Sequence, residues 1–482
     1  DDRDENRRTT RTVATALVAT GLRNEHLERG MSTPKHGVSF EDVPENIEFR
    51  SPDFTRPNSA IWEDWPLDLD KPLQDYDLET LDPGHPDLFL HGKELEVFDY
   101  LRRVNPVHLC EECRTGPYWS ITRFKDIMEA ERMHDVFSSS WKWGGIQIGG
   151  IRMPRPDPYF HLPMFIAEDP PEHGHKRAVV QPKFTQKALA RMETQIRECA
   201  GEILDRLPVG EEFDWVSNVS KELTGQILAI LFGIPQEDRN KLTHWSDVVQ
   251  NASNPEQFAN IRQAFEELWE CHDYFAAVME QRARTNGSGE DLISLLHRSE
   301  HTNRMEPNEY LGNLLLLIVG GNDTTRNSIS GSVLALNEFP EQFAKLKADH
   351  SHLPGMVSEA IRWQTPLAHM ARTAIKDVEF GGQQIRSGNR IALWYISGNR
   401  DEEVIENPYE FRIDRPNARR HIAFGFGIHR CVGNRLGEMQ LRVIWEEILK
   451  RFKDVEVVGE VERVRSNFVR GIRRLPVRLT SA

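Results

Sequence analysis

Apolar residues recur at helical spacing over most of the C-terminal two thirds of the chain, with polar positions between them marking the faces that would meet water. The pattern predicts helices at Gln186 to Leu207, Val216 to Phe232, Pro235 to Gln250, Glu256 to Asn286, Asp291 to His297, Pro307 to Glu338 and Pro354 to Trp363, after a shorter one around Lys125 to Met133. Asn434 to Phe452 continues it, with Leu436, Leu441, Ile444, Ile448 and Leu449 on one face. Strand-like runs are short: Val107 to Leu109, Tyr118 to Thr122, Val378 to Phe380 and Arg390 to Trp394. Between Ser138 and Pro171 the residues Gly144, Gly145, Gly149, Gly150, Pro154, Pro156, Pro158 and Pro163 exclude a helix or a central strand, so a long loop is expected there, and such loops are usually functional.

The expected architecture is therefore mainly α with a small β part. A length of 482 residues would suggest about three domains, yet no linker or low-complexity tract divides the chain, so one large domain over 71–482 fits better. Residues 1–70 are polar, charged and punctuated by proline, which predicts a partly disordered extension. Thr12 to Leu22 within it could form an amphipathic helix.

Composition narrows the function. Hydrophobic residues make up 39% of the chain, ample for a large core, but no apolar run reaches the roughly 18 residues of a membrane span, so a soluble protein is expected. The most apolar segment, Leu314 to Val319, reads as part of a buried helix. A net charge of −15 argues against nucleic acid as a partner, because phosphate binding needs a basic field. The five cysteines, Cys110, Cys113, Cys199, Cys271 and Cys431, are few and odd in number, which suits a cytoplasmic protein. Cys110 and Cys113 form a C-x-x-C, read as hairpin residues between two strand-like runs. Glu172, His173 and His175 could pass for a metal cluster, but histidines at i and i+2 of a helix start point apart.

Chemistry concentrates at Phe424-Gly425-Phe426-Gly427-Ile428-His429-Arg430-Cys431-Val432-Gly433, where one cysteine sits among glycines just before a helix. A lone cysteine is more often a small buried hydrophobe. A thiolate that donates to an iron, however, must be shielded and steadied by backbone N–H groups, which glycines admit closely, and a following helix N-terminus favours its charge. Upstream, Asp323 and Thr324 lie mid-helix, where a buried acid is costly unless partnered. Thr324 could bond the carbonyl one turn back, and Gly320 with Gly321 would permit a local widening of that helix.

The cysteine stretch matches the haem-binding signature of the cytochrome P-450 superfamily of haem-thiolate monooxygenases, and the chain resembles that family at further motifs in the same order. These are Asp169-Pro170-Pro171-Glu172-His173 with Arg177, Gly320-Gly321-Asn322-Asp323-Thr324-Thr325 and Glu359-Ala360-Ile361-Arg362. The resemblance implies a single haem b domain with Cys431 as axial ligand, and Phe424, Gly425 and Gly433 shaping the cofactor loop. It implies that His173, Arg177, Arg372 and His429 meet the haem propionates, and that Asp323 and Thr324 relay protons to bound oxygen. Glu359, Arg362 and Arg415 would form a buried structural cluster rather than a catalytic one.

Longer runs, Leu314 to Ser328, Ile361 to Leu367, Ser397 to Glu402 and Ser466 to Gly471, resemble the soluble bacterial terminal alkane and fatty-acid hydroxylases. That likeness implies insertion of oxygen into the terminal C–H bond of an apolar chain. Electrons would come from a ferredoxin served by an NAD(P)H-dependent reductase, docking over Arg419, Arg420, Arg430 and Arg435. Met164, Phe165, Val319, Gly320, Leu367 and Phe468 are the expected pocket walls. The chain departs from that family at Lys142 to Phe160 and at Ala368-His369-Met370, which keeps a steroid or terpenoid substrate open as the alternative. A haem sensor or carrier is the non-enzymatic alternative, disfavoured because a carrier needs no proton relay.

Overall fold

The structure, a computed structural model, describes residues 54–58, 67–149, 157–285 and 288–481; Thr12 to Leu22 lies outside them. Its axis is the helix Pro307–Glu338, buried on most sides. Proline in the first turn suits a helix start, and Pro340 holds Phe339 at φ −124° and ψ 69°, which stops the helix there. Helices Lys221–Phe232, Arg239–Asn251, Ile261–Arg284, Leu353–Gln364 and Asn434–Arg451 pack against it. Gln186–Leu204 lies along Asn434–Arg451, where buried Leu189, Met192 and Ile196 share one apolar cluster with Leu441, Ile444 and Ile448. Arg197 bridges Glu446 at 2.5 Å and Glu447 at 2.8 Å across the same seam.

Local chemistry explains where the elements depart from the apolar pattern. The expected helix from Val216 opens with a π turn, Val216–Ser220, before Lys221–Phe232; the Asp214 carboxylate holds the N–H groups of Val216 (3.2 Å) and Ser217 (3.1 Å), and Thr224 Oγ1 donates back to Ser220 O at 3.0 Å. The helix expected from Glu256 starts at Ile261 because Asn260 caps Gln263 N at 3.1 Å. Helices Glu94–Val104 and Pro340–Ala348 are additional to those the pattern predicts.

A five-stranded sheet runs in the order Val107–Cys110, Tyr118–Ile121, Arg390–Leu393, Met370–Ala374, Phe137–Ser138, with only the second and third strands parallel. Cys110 ends the first strand opposite Tyr118, so the C-x-x-C does lie at a hairpin. Among the first described residues, Phe54 stacks on Phe160 with ring centroids 4.0 Å apart, and Leu67, Leu69 and Leu73 pack on a second apolar cluster.

The described part of the Gly/Pro-rich loop is irregular but anchored. Ile146 O accepts from Ala371 N at 2.7 Å and Gly145 O from Arg390 Nη1 at 3.0 Å. Its far end is seamed to the long helix: Asn308 Nδ2 donates to His161 O at 2.9 Å and Phe165 N donates to Asn313 Oδ1 at 3.0 Å. Gly312 makes the approach possible, since a Cβ there would lie 2.2 Å from Pro163 O.

Candidate active site

The cysteine loop folds back on itself: Cys431 N donates to Phe424 O at 2.9 Å, and Gly425 N to Ile422 O at 2.9 Å. Gly425 and Gly427 take φ of 68° and 66°, the left-handed region that glycine enters without steric cost. Cys431 is exposed at its free side, yet enough protein stands behind it that burial pushes its thiol up. The N–H groups of Gly433 and Asn434 and the charges of Arg177 and Arg430 pull in the other direction, toward the thiolate. Helix Asn434–Arg451 starts immediately after.

His173, Arg177, Arg372 and His429 gather beside this loop. The rings of His173 and His429 lie 4.1 Å apart at 50°. His429 Nε2 pairs with Ser139 Oγ at 3.0 Å, while its Nδ1 and His173 Nε2 are buried with no hydrogen-bond partner among the described residues. Burial, with Arg177 and Arg372 nearby, lowers His173 to about 4, and burial with Arg372 and His173 nearby holds His429 well below the usual imidazole range. Arg177 Nη2 donates to Arg430 O at 2.6 Å, and Arg372 to Ala371 O at 2.8 Å and Glu131 Oε2 at 2.9 Å. Two orphaned buried imidazole nitrogens and two arginines beside a steadied sulfur are a donor set that fits haem b and its carboxylates. His175, by contrast, is exposed and stacks on His301 with centroids 4.6 Å apart, so the two histidines of the helix start do point apart.

On the long helix, Thr324 Oγ1 donates to Gly320 O at 2.9 Å, the bond expected from the sequence. The widening expected at Gly320 and Gly321 does not occur: the helix stays α through this turn, because the hydroxyl adds to the ladder without displacing it. A Cβ on Gly320 would meet nothing within 4 Å, whereas one on Gly321 would lie 2.8 Å from Leu228 Cδ2. Asp323 is fully buried and turned from Thr324 toward the helix Arg239–Asn251, accepting from Ser246 Oγ at 3.0 Å. Its Oδ1 is 2.7 Å from Arg326 Nη2, close enough for an ion pair but outside hydrogen-bond geometry. Burial pushes the Asp323 carboxyl up, and Arg326 opposes that. Arg326, Ser246 and Asp247 are site residues that periodicity did not single out; the i, i+3 spacing of Asp323 and Arg326 was the one local signal.

Glu359, Arg362 and Arg415 come together in full. Arg362 donates to both Glu359 oxygens at 2.8 Å, and Arg415 Nε reaches them at 3.2 and 3.1 Å. Arg362 also binds Asn399 O and Pro408 O, each at 2.9 Å, tying the helix Leu353–Gln364 to the segment before the cysteine. Burial alone would lift the Glu359 carboxyl, but the two arginines and the N–H of Arg412 hold it below the usual range.

The six expected pocket residues are more scattered. Val319 and Gly320 lie on the long helix; Leu367 bridges to Val469, and Phe468 O accepts from Ala368 N at 2.9 Å. Phe165 is 6% exposed and belongs to the main core cluster, so it is packing first, while Met164 beside it is half-buried. His369, where the chain departs from the hydroxylase pattern, is fully buried between Trp394 and Phe468 with Nδ1 on Asn467 O at 2.9 Å.

The family model "Cytochrome P450" matches residues 155–473. The chain is 35% identical over 404 residues to the linalool 8-monooxygenase of Pseudomonas putida, covering 83% of this chain and 99% of that relative. It is 32% identical over 365 residues to the methyl-branched lipid omega-hydroxylase of Mycobacterium tuberculosis, covering 75% and 83%. Among solved structures it superposes on cytochrome P450-153 from Novosphingobium aromaticivorans with a TM-score of 0.78 at 46% identity, covering 83% of this chain and 99% of that one. An enzyme replaces the sensor or carrier alternative. The chain belongs to the cytochrome P450 family, as a monooxygenase that binds haem b through a cysteine thiolate.

Proposed function

We propose that Cys431 is the axial ligand and that the enzyme hydroxylates the terminal carbon of an alkane, a fatty acid or a similar apolar chain. Thiolate-bound haem supplies the oxygen activation when it is in place. His173, Arg177, Arg372 and His429 hold the propionates. Asp323, which faces Ser246 and Arg326 rather than Thr324, holds a proton at its carboxyl and must turn from those partners to deliver it, while Thr324 Oγ1 rests on Gly320 O. Ser246 and Arg326 hold the acid in its resting position.

The observation that carries the substrate class is Gly320. A Cβ there would meet nothing within 4 Å, one turn before Thr324 and next to half-buried Val319, so this stretch of the helix offers an apolar chain a surface with no side chain in its way. Met164, Phe165, Leu367 and Phe468 complete the proposed walls. Likeness to an omega-hydroxylase of methyl-branched lipids supports terminal attack. Likeness to a linalool 8-monooxygenase favours a second reading, a terpenoid or steroid substrate. Electrons reach the site from a ferredoxin, reduced by an NAD(P)H-dependent reductase, that docks near Arg430, Arg435 and Arg419, which line one cleft with His421 and Phe424; exposed Arg420, next to Arg419 in the chain, belongs to the same proposal.

Titrating the purified ferric enzyme with decane, a long-chain fatty acid and a sterol tests the substrate. A low-to-high-spin shift with the chain molecules is expected. A shift with the polycycle alone overturns the terminal-hydroxylation reading.

A further inference from the structure

A buried acid stands directly behind the cysteine loop. Glu131, in the last turn of the helix Phe124–Arg132, is 3% exposed. Its Oε2 accepts from Arg372 Nη2 at 2.9 Å and its Oε1 from the Tyr395 hydroxyl. Arg372 and Tyr395 are buried as well. The same residue backs onto the loop glycines: a Cβ on Gly427 would lie 2.7 Å from the Glu131 backbone carbonyl oxygen, and one on Gly425 would lie 3.3 Å from Tyr395 Oη and 3.7 Å from Glu131 Oε1. Arg132, the next residue, stacks its guanidinium over the Phe426 ring at 4.7 Å.

Neutralising Arg372 could be done by any acid on the surface of that arginine. The arrangement here is more particular. The carboxylate is walled in, it shares its second oxygen with a phenol, and of the two positive-φ glycines of the ligand loop Gly425 sits against that pair while Gly427 sits against the Glu131 backbone. In such a low-dielectric place a fixed charge acts at longer range than it would in water. Hydrogen bonding and charge around a haem thiolate are the levers by which a protein sets the iron's potential.

We propose that Glu131 is a positioning residue for the haem, which holds Arg372 at the cofactor's edge and keeps a negative charge behind the Gly425 to Gly427 turn, so lowering the reduction potential of the bound iron. Tyr395 tempers that charge by donating a hydrogen bond to it. The inference rests on Cys431 as ligand and on Arg372 beside the propionates.

The signs follow from charge. Glu131→Gln removes a negative charge, favours the ferrous state and raises the potential; about a tenfold change in the reduction equilibrium is expected, or 59 mV for one electron. Tyr395→Phe leaves the carboxylate unshared and lowers the potential, by about threefold in the same equilibrium. Equilibrium reduction of each haem-loaded protein against a reference dye reads both. A purely structural role for Glu131 weakens the fold in both variants without moving the potentials in opposite directions. Potentials equal to the parent's, or shifts of one sign, overturn the proposal. If Glu131→Gln takes up no haem, Tyr395→Phe decides alone, and an unchanged or raised potential there overturns it. Failure of the ligand reading is distinguishable, because the unmodified protein would then lack a thiolate-type carbon monoxide spectrum.

Discussion

Arg326 Nη2 lies 2.7 Å from Asp323 Oδ1, and its Nη1 donates to Asp247 Oδ1 at 2.8 Å. Asp247 also accepts from Lys221 Nζ at 2.7 Å, and the side chains of Lys221 and Asp247 are 32% and 33% exposed. A line of charge therefore joins a carboxyl with no solvent contact to the protein surface. Burial raises the proton affinity of Asp323, which suits an acid that must hold a proton and then give it up.

Asp323→Asn should lower product formation by about 10²-fold, within the range that general acid catalysis contributes, with haem binding intact. Thr324→Ala should instead spend reductant without product, releasing hydrogen peroxide, because the hydroxyl bonded to Gly320 O is gone. Product and peroxide measured per reductant consumed separate the two. Fully coupled turnover in both variants would remove the relay.

Cys431→His should abolish the thiolate-type carbon monoxide spectrum of the reduced protein. The loop geometry depends on the backbone bond from Cys431 N to Phe424 O and on two glycines, none of which the substitution touches, so the fold should persist. Circular dichroism checks the fold, and an unaltered spectrum of the carbon monoxide complex would show the ligand to be elsewhere.

Glu359→Gln should destabilise the protein by about 3–5 kcal/mol near neutral pH, since it leaves two buried arginines without their acid. The Glu359 carboxyl is held below its ordinary value of 4.5, so its contribution is complete above that pH and is lost as pH falls through the depressed value. The gap between variant and parent should therefore narrow in acid. Denaturant titrations near neutrality and well below pH 4.5 measure it, and equal stability at neutral pH contradicts the role.

The sequence was legible where chemistry is local. Pro307 and Pro340 bracket the long helix, so its ends could be read from the chain, and Glu359 with Arg362 declared itself by i, i+3 spacing. Burial of both that pair and Arg415 was implied by family resemblance rather than by pattern. The π turn at Val216–Ser220 stayed hidden because it comes from an acid cap and a threonine back-bond, which leave the apolar period unchanged. The direction of Asp323 was hidden for a related reason. Successive helical residues point about 100° apart, so adjacency to Thr324 in sequence says little about sharing a face. Glu131 and Tyr395, separated by 264 positions, left no trace in any local window.

The two neighbouring glycines of the long helix make unequal targets for anyone wishing to reshape this enzyme. At position 320 a methyl group would meet no other atom within 4 Å, so it could be added without moving a neighbour. At position 321 the same methyl would come within 2.8 Å of the Leu228 Cδ2 methyl, so that side chain would have to shift. The proposed pocket is thus best probed at the first of them, while a change at the second is felt first by the Leu228 side chain.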